Sequence, residues 1–421
     1  MHLAEQSTKK RIHYAWIVFV AAFITLLGAA GFRSTPSVLI DPLREEFGWS
    51  RGTVGTAVSI NVLLFGLMGP FAAALQLRFG LRKVTITALA TISTGALLTT
   101  QMSHVWHLYV LWGVVVGVGS GSMATVFAST VASRWFVKRR GLVTGTLTAA
   151  TASGQLVFLP LLTRLANSYG WRTVGITISC CAMAVIPVVA VFLRNSPAEI
   201  GLTPYGADET YEPPSVLTNP VSAAFSSLRD AANDNIFWLL WGSFFVCGLS
   251  TTGLVQTHFL SAAHDHSIVA ATAAGYLALI GAFDVLGTIA SGWLTDKYDP
   301  ARLLIAYYAL RGVSLMFLDP VLATGGSGLV GFMVFYGLDW VATVPPTVLL
   351  CIRRFGPQRG PLVYGWVFFG HQVGGAVAAW GAGYLRDTTG SYQSAFFIAG
   401  IGCLLAAFGA AQMTTRKVVP N

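Results

Sequence analysis

Residues 133–154 read SRWFVKRRGLVTGTLTAATASG. Four cations, Arg134, Lys138, Arg139 and Arg140, stand between two long apolar runs. The second run opens with small residues at close intervals: Gly141, Gly145, Ala149, Ala150, Ser153 and Gly154. Cations hold a segment at a membrane surface, and close-set small residues give the next helix a smooth face for a neighbour to approach. The stretch therefore reads as a cytosolic cationic hinge followed by a membrane helix built to slide.

Composition agrees. The 421 residues are 54% hydrophobic and 10% charged, whereas a soluble domain carries about 25% charged residues. The 45 glycines are scattered through apolar runs rather than gathered in loops, as close-packed membrane helices require. A net charge of +9 would suit nucleic acid, but no soluble basic domain exists to carry such binding. Cys180, Cys181, Cys247, Cys351 and Cys403 lack metal-ligand spacing and read as small packing residues. Gly113, Gly117, Gly119 and Gly121 follow no strand, and no HExxH motif, P-loop or nucleophile elbow is present. No enzyme, metal site or cofactor is expected. Lys9, Lys10, Arg11 and the apolar run behind them mimic a signal peptide. That run, Tyr14 to Phe32, exceeds the roughly 7–15 residues of an h-region and is read as a retained first helix.

Stretches of about 20 apolar residues match the bilayer's hydrocarbon thickness. Twelve occur, at 14–40, 53–76, 84–101, 107–132, 141–163, 172–193, 236–260, 269–294, 303–322, 329–351, 362–385 and 393–413; we number these helices 1 to 12. The long polar interruption, 194–235, is rich in Pro, Ser, Asp and Glu and reads as a cytoplasmic linker between six-helix bundles at 1–193 and 236–421. Nineteen of the 26 Lys and Arg fall on one set of alternate connections, and only Arg44, Arg51, Arg164, Arg172 and Arg386 on the other. Positive residues stay inside, so both termini are expected in the cytoplasm and the chain in the inner, plasma membrane. The halves also repeat: Arg78 precedes Lys297 by 219 residues, Arg140-Gly141 precedes Arg359-Gly360 by 219, and Gly170 precedes Gly390 by 220. Halves repeated about an axis along the membrane normal place a substrate site near the midplane between them.

This layout resembles the major facilitator superfamily over essentially the whole chain. The superfamily signature after helix 2 is degraded, its leading glycine falling on Ala73 and its acidic position on Leu77. The second copy, Gly292-Trp-Leu-Thr-Asp296-Lys297, is much better. Within the superfamily, Trp135-Phe136, Lys138-Arg139-Arg140 and the spaced small residues through Gly154 resemble the monocarboxylate porter signature. FGWSR at 47–51, GWR at 170–172 and SPAEIGLTPYG at 196–206 are similar to further pieces of that family. The resemblance implies an all-α integral membrane protein of twelve helices in two pseudo-symmetric bundles. Helices 1, 2, 4, 5, 7, 8, 10 and 11 would line a cavity, with 3, 6, 9 and 12 supporting it.

Ionisable residues inside a membrane cost several kcal/mol unless paired or wetted, so each is a functional candidate. Asp284 on helix 8 falls where the resembled porters carry a membrane aspartate, which implies proton coupling; the rival reading is an ion pair with Arg311. One turn further on such porters place a substrate-gripping arginine, and here stands Thr288. Arg33 on helix 1, within one residue of a lysine used by some relatives, is a replacement clamp able to make two parallel hydrogen bonds, or else an arginine snorkelling to the surface. His371 and Gln372 on helix 11 lie where some carboxylate porters carry a cation, and an imidazole there binds an anion or relays a proton, or else is a lone histidine hydrogen-bonded within the helix bundle. Arg311 and Asp339 are candidates for a buried ion pair. Asn61, Gln155, Tyr336, Tyr364 and Trp366 are softer substrate-binding candidates. Arg134, Lys138, Arg139, Arg140, Asp296 and Lys297 form the candidate cytoplasmic gate. His258 sits towards the outer end of helix 7, and His104, His107, His264 and His266 belong to outer loops.

The expected function is alternating-access transport of a small organic anion, a monocarboxylate, with protons as co-substrate, by a monomer in a lipid bilayer. The alternative is an anion exchanger, or an exporter of an unrelated small molecule, on the same fold.

Overall fold

The computed structural model describes residues 12–208 and 219–415; Lys9, Lys10, Arg11, Arg416 and Lys417 lie outside them. Among the described residues, and apart from a helix in the linker, the helical segments group into twelve rods in the order of the hydropathy pattern. Helix 1 comprises Tyr14–Ala29 and Gly31–Phe47, interrupted at Ala30, and so runs beyond the apolar stretch that announced it. Helix 2 is Arg51–Phe79, helix 3 Leu81–Thr99, helix 4 Val105–Trp135, helix 5 Arg140–Tyr169 and helix 6 Arg172–Phe192. Helix 7 is Asn235–Asp265, helix 8 Ala270–Lys297, and helix 9 the bent pair Pro300–Met316 and Leu318–Thr324. Helix 10 begins as Gly326–Asp339 and resumes at Val344; Gly356, at φ 82°, folds the continuing chain back into helix 11, which ends at Thr389. Helix 12 is Gln393–Thr415.

Caps fix several of these ends. Ser50 Oγ accepts from the Thr53 amide at 3.0 Å. Asp299 accepts from Ala301 and Arg302 at 2.9 and 3.1 Å, and Asp234 accepts from Ile236 at 2.9 Å. Such side chains satisfy amides that a helix start leaves without partners.

The connection at 194–235 is more than a tether. Its helix Pro220–Ala232 buries Ala224, Ser227 and Ala231, a spacing that places all three on one face, and it packs against helices 2 and 11. Upstream, Tyr205 folds back onto the hinge that opened the sequence analysis: its amide donates to the Trp135 carbonyl at 2.8 Å, and its carbonyl accepts from Val137 at 2.9 Å. Trp135 and Phe136 are wholly buried, with Phe136 meeting Trp16 edge to face at 5.2 Å. The SPAEIGLTPYG segment thus pads the hinge.

The two halves meet at the end of the bundle that carries the cations. Helix 5 packs along helix 8 and helix 2 along helix 11. At both crossings the backbones are too close for side chains: a Cβ at Gly145 would stand 2.5 Å from the Thr288 carbonyl oxygen, and one at Gly365 would strike the Pro70 nitrogen. Small residues permit such crossings, and they close this end beneath a cavity between the halves.

Candidate functional site

The cavity holds about 120 Å³ and is walled by Thr125 of helix 4, Thr148 and Thr151 of helix 5, Phe244, Cys247 and Thr251 of helix 7, Asp284 of helix 8, Trp340 of helix 10, and Phe368, His371 and Gln372 of helix 11. Three of the sequence candidates, Asp284, His371 and Gln372, therefore share one wall. The backbone of Arg33 and Gln155 is helical, but their side chains lie outside the described part of the structure.

Asp284 owes its position to a break in helix 10. Between Asp339 and Val344 the helix loosens into turns, which frees backbone groups that a membrane protein must satisfy internally. Asp284 Oδ1 accepts from the freed Val341 amide at 3.1 Å and from the Thr288 hydroxyl at 2.8 Å. Ser291 donates to the Ala342 carbonyl. From the other side Arg311, wholly buried on helix 9, donates to the carbonyls of Asp339 and Trp340 and to the Asp339 carboxylate at 2.5 Å. Arg311 thus pairs with Asp339 and not with Asp284, and no described cation stands within salt-bridge distance of Asp284. A carboxylate and a guanidinium grip opposite sides of one broken turn.

The remaining donor of Arg311 reaches Cys247 Sγ at 3.2 Å, and the Thr343 hydroxyl meets the same sulfur at 3.2 Å. This corrects the reading of Cys247 as packing: it is a polar-bonded part of the cavity wall. A signal for it lay in the run Cys247, Ser250, Thr251, Thr252, small polar residues one turn apart on a helix expected to face the cavity. Thr148 is another missed wall residue; it is buried, and its hydroxyl has no partner among the described residues.

His371 lies between Phe244 at 5.0 Å and Phe368 at 6.0 Å, nearly parallel to the latter. Its Nδ1 has no hydrogen-bond partner among the described residues. Other candidates are placed elsewhere. Asn61 donates to the Trp112 carbonyl at 2.8 Å, bracing helix 2 on helix 4. Tyr336 donates to Ser250 at 2.9 Å, behind the wall. Tyr364 donates to the Thr125 hydroxyl at 3.0 Å, propping a wall residue from below, and Trp366 reaches the Ala224 carbonyl at 3.0 Å. His258 bonds Tyr392 and the Ala379 carbonyl at the far end.

At the cation-rich end several cations bond backbone and rings of their own half. Arg134 donates to the carbonyls of Asn195 at 3.0 Å and Leu77 at 3.3 Å, and Arg140 to those of Phe136 and Ser133. Arg139 lies over Trp16 and Lys297 over Trp293. Lys138 packs beside Gly206. Asp296 crosses between the halves, its two oxygens accepting from the Gly141 and Leu142 amides at 2.7 and 2.8 Å.

The helices of the described residues, in two bundles joined at one end beneath a central cavity, have the architecture of a membrane transporter. Residues 18–379 match the Major Facilitator Superfamily, and the chain belongs to it. It is similar to monocarboxylate transporter 13 of Bos taurus, 28% identical over 94% of this chain and 88% of the relative. It is also similar to the MFS-type transporter YcxA of Bacillus subtilis, 25% identical over 90% of each. Among solved structures, the E. coli fucose:proton symporter FucP shares the fold, with a TM-score of 0.66 at 16% identity over 95% of this chain and 99% of that one. The chain is a multi-pass membrane transporter of small molecules and not an enzyme.

Proposed function

We propose that the protein carries a small monocarboxylate together with a proton across the inner, plasma membrane, with both termini in the cytoplasm and the linker tethering two halves, 1–193 and 236–421, that rock in a working monomer. The observation that carries this reading is the shared wall of Asp284, His371 and Gln372. An anion entering a cavity whose described lining holds an ionised carboxylate and no Lys or Arg is repelled at short range in low dielectric. Protonation of Asp284 removes the repulsion, and the His371 imidazole, whose Nδ1 has no partner among the described residues, is placed to hydrogen-bond the substrate carboxylate. A protonated Asp284 is also a weaker acceptor for the Val341 amide, so proton binding loosens the turn of helix 10 that carries Trp340 into the wall. The similarity to relatives named monocarboxylate transporters supports the choice of anion.

In proteoliposomes, an imposed proton gradient is expected to drive accumulation of labelled acetate, lactate or pyruvate. Asp284→Asn is expected to abolish driven accumulation while sparing exchange of substrate for substrate. Undiminished driven uptake by that variant would remove Asp284 from coupling, and no uptake of any of the acids by the unaltered protein would remove the anion. The resemblance keeps a second reading, anion exchange or export, open: Thr288 stands where the resembled porters would carry an arginine. Proton flux recorded beside substrate flux separates the two, since exchange moves no net protons.

A further inference from the structure

Gln372 belongs to the cavity and to the joint beneath it at once. On helix 2, Gly66 leaves a notch, and Gln372 of helix 11 fills it: a Cβ built at Gly66 would stand 2.5 Å from Gln372 Cγ and 2.9 Å from its Cβ. The side chain is only 6% exposed, yet it faces the cavity, and its amide makes no hydrogen bond to any described residue. A primary amide offers two donors and an acceptor, and here they face the cavity, where a bound molecule can meet them. The groups beside it also bridge the halves: Phe65 meets Phe368 edge to face at 5.6 Å, and Tyr364 bonds Thr125. The stem of Gln372 is therefore part of the seal, and its head is part of the wall.

We propose that Gln372 is a specificity-determining residue that ties substrate occupancy to closure of the cation-rich end. Its amide meets a hydrogen-bonding group of the substrate only while its stem sits in the Gly66 notch. When helices 2 and 11 part, the stem leaves the notch and the amide leaves its place in the wall, so the open form binds more weakly. A ligand shifts a conformational equilibrium by its difference in affinity for the two forms, and here Gln372 supplies that difference. The inference rests on the cavity being the substrate site.

The test uses spin labels at two exposed positions of the cation-rich end, Phe79→Cys on helix 2 and Pro357→Cys at the start of helix 11, in full-length protein in lipid. Without substrate, Gly66→Ala is expected to enlarge the long-distance population, because its methyl evicts Gln372. Gly66→Ala with Gln372→Ala is expected to restore the short distance. Gln372→Leu, which keeps the stem and removes the amide, is expected to close as the parent does but to lose the shift towards the short distance that lactate or pyruvate induces, with Kd weakened about tenfold. An unchanged distance distribution in Gly66→Ala overturns the seal. A parent-like response of Gln372→Leu to lactate or pyruvate overturns the reading of substrate. If the parent binds neither acid, the proposed function fails while the substrate-free comparison still decides the role of the notch.

Discussion

Helix 5 meets helix 8, and helix 11 meets helix 2, at positions that the sequence repeat makes equivalent, yet the two joints are held by different chemistry. At the first, the Asp296 carboxylate crosses from one half to cap the amides of Gly141 and Leu142 in the other, an anion at the positive end of a helix. At the second, the equivalent carboxylate is absent: its position is Leu77, which is buried and gives its carbonyl to Arg134. That joint is closed by shape, with Gly365 against Gly69 and Pro70. It is also closed from outside by the linker helix, whose Phe225 joins Phe71 and Trp366 in an aromatic cluster. The two joints occupy places that the sequence repeat relates but are held by different forces, so one is expected to be sensitive to charge and the other to volume.

The largest effect is expected where volume alone decides. Gly365→Val places branched carbons against the Pro70 backbone, which has no flexible side chain to yield. Overpacking of this kind costs about 1–3 kcal/mol or more, so closure of the cation-rich end should fall at least about tenfold. Labels on helices 2 and 11 report it, and transport of labelled substrate should fall in parallel. Normal closure in this variant would mean that the second joint is not sealed by backbone contact. Asp296→Ala comes next and addresses the first joint only. It removes two charge-assisted hydrogen bonds and a helix-terminal charge, together of the order of 1–2 kcal/mol. A distance between labels on helices 5 and 8 should lengthen while the pair on helices 2 and 11 keeps most of its short-distance population; equal opening of both would deny that the joints are distinct.

This asymmetry shows which features a sequence displays. The helices were legible because most of them are long and apolar enough to cross hydrocarbon, and the 219-residue offset made the repeat legible without any structure. Gly141, Gly145 and Asp296 were legible as a joint because the signature that carries them is local. The linker helix was not: its inward face is Ala224, Ser227 and Ala231, residues too small to give an apolar period, so the segment read as a tether. The grip on the broken turn of helix 10 was hidden for another reason. Asp284, Arg311 and Cys247 come from helices 8, 9 and 7, and no spacing along the chain reports that three helices converge on one turn. Arg311, read from position alone as a partner for either aspartate, is assigned to Asp339 only by geometry.

Within the second joint the linker can be weighed separately. Trp366→Phe keeps the ring in the cluster but removes the donor to the Ala224 carbonyl, a bond of 3.0 Å. A net contribution of about 1 kcal/mol is expected for such a bond, enough to lower the melting temperature of the purified protein by a few degrees. The first joint should be untouched, so the distance between labels on helices 5 and 8 should not change. A longer distance there would mean that the linker helix holds both joints rather than one.

The smallest effect is expected from the charges that the second joint does possess. Arg359 faces Asp230 of the linker helix at 3.2 Å, but the two side chains are 65% and 55% exposed. Exposed pairs of this kind contribute between nothing and about 1 kcal/mol, because water competes for both partners and each long side chain loses freedom on pairing. Arg359→Ala should therefore leave closure at the helix 2 and 11 labels within about twofold of the parent, and raising the salt concentration should change the parent little at that joint. Salt also bears on Asp296, yet its contact is a pair of direct hydrogen bonds to amides in a half-buried joint, which screening weakens less. Large opening of the second joint by salt or by Arg359→Ala would place charge there too, and would erase the contrast between a joint held by a carboxylate and a joint held by fit.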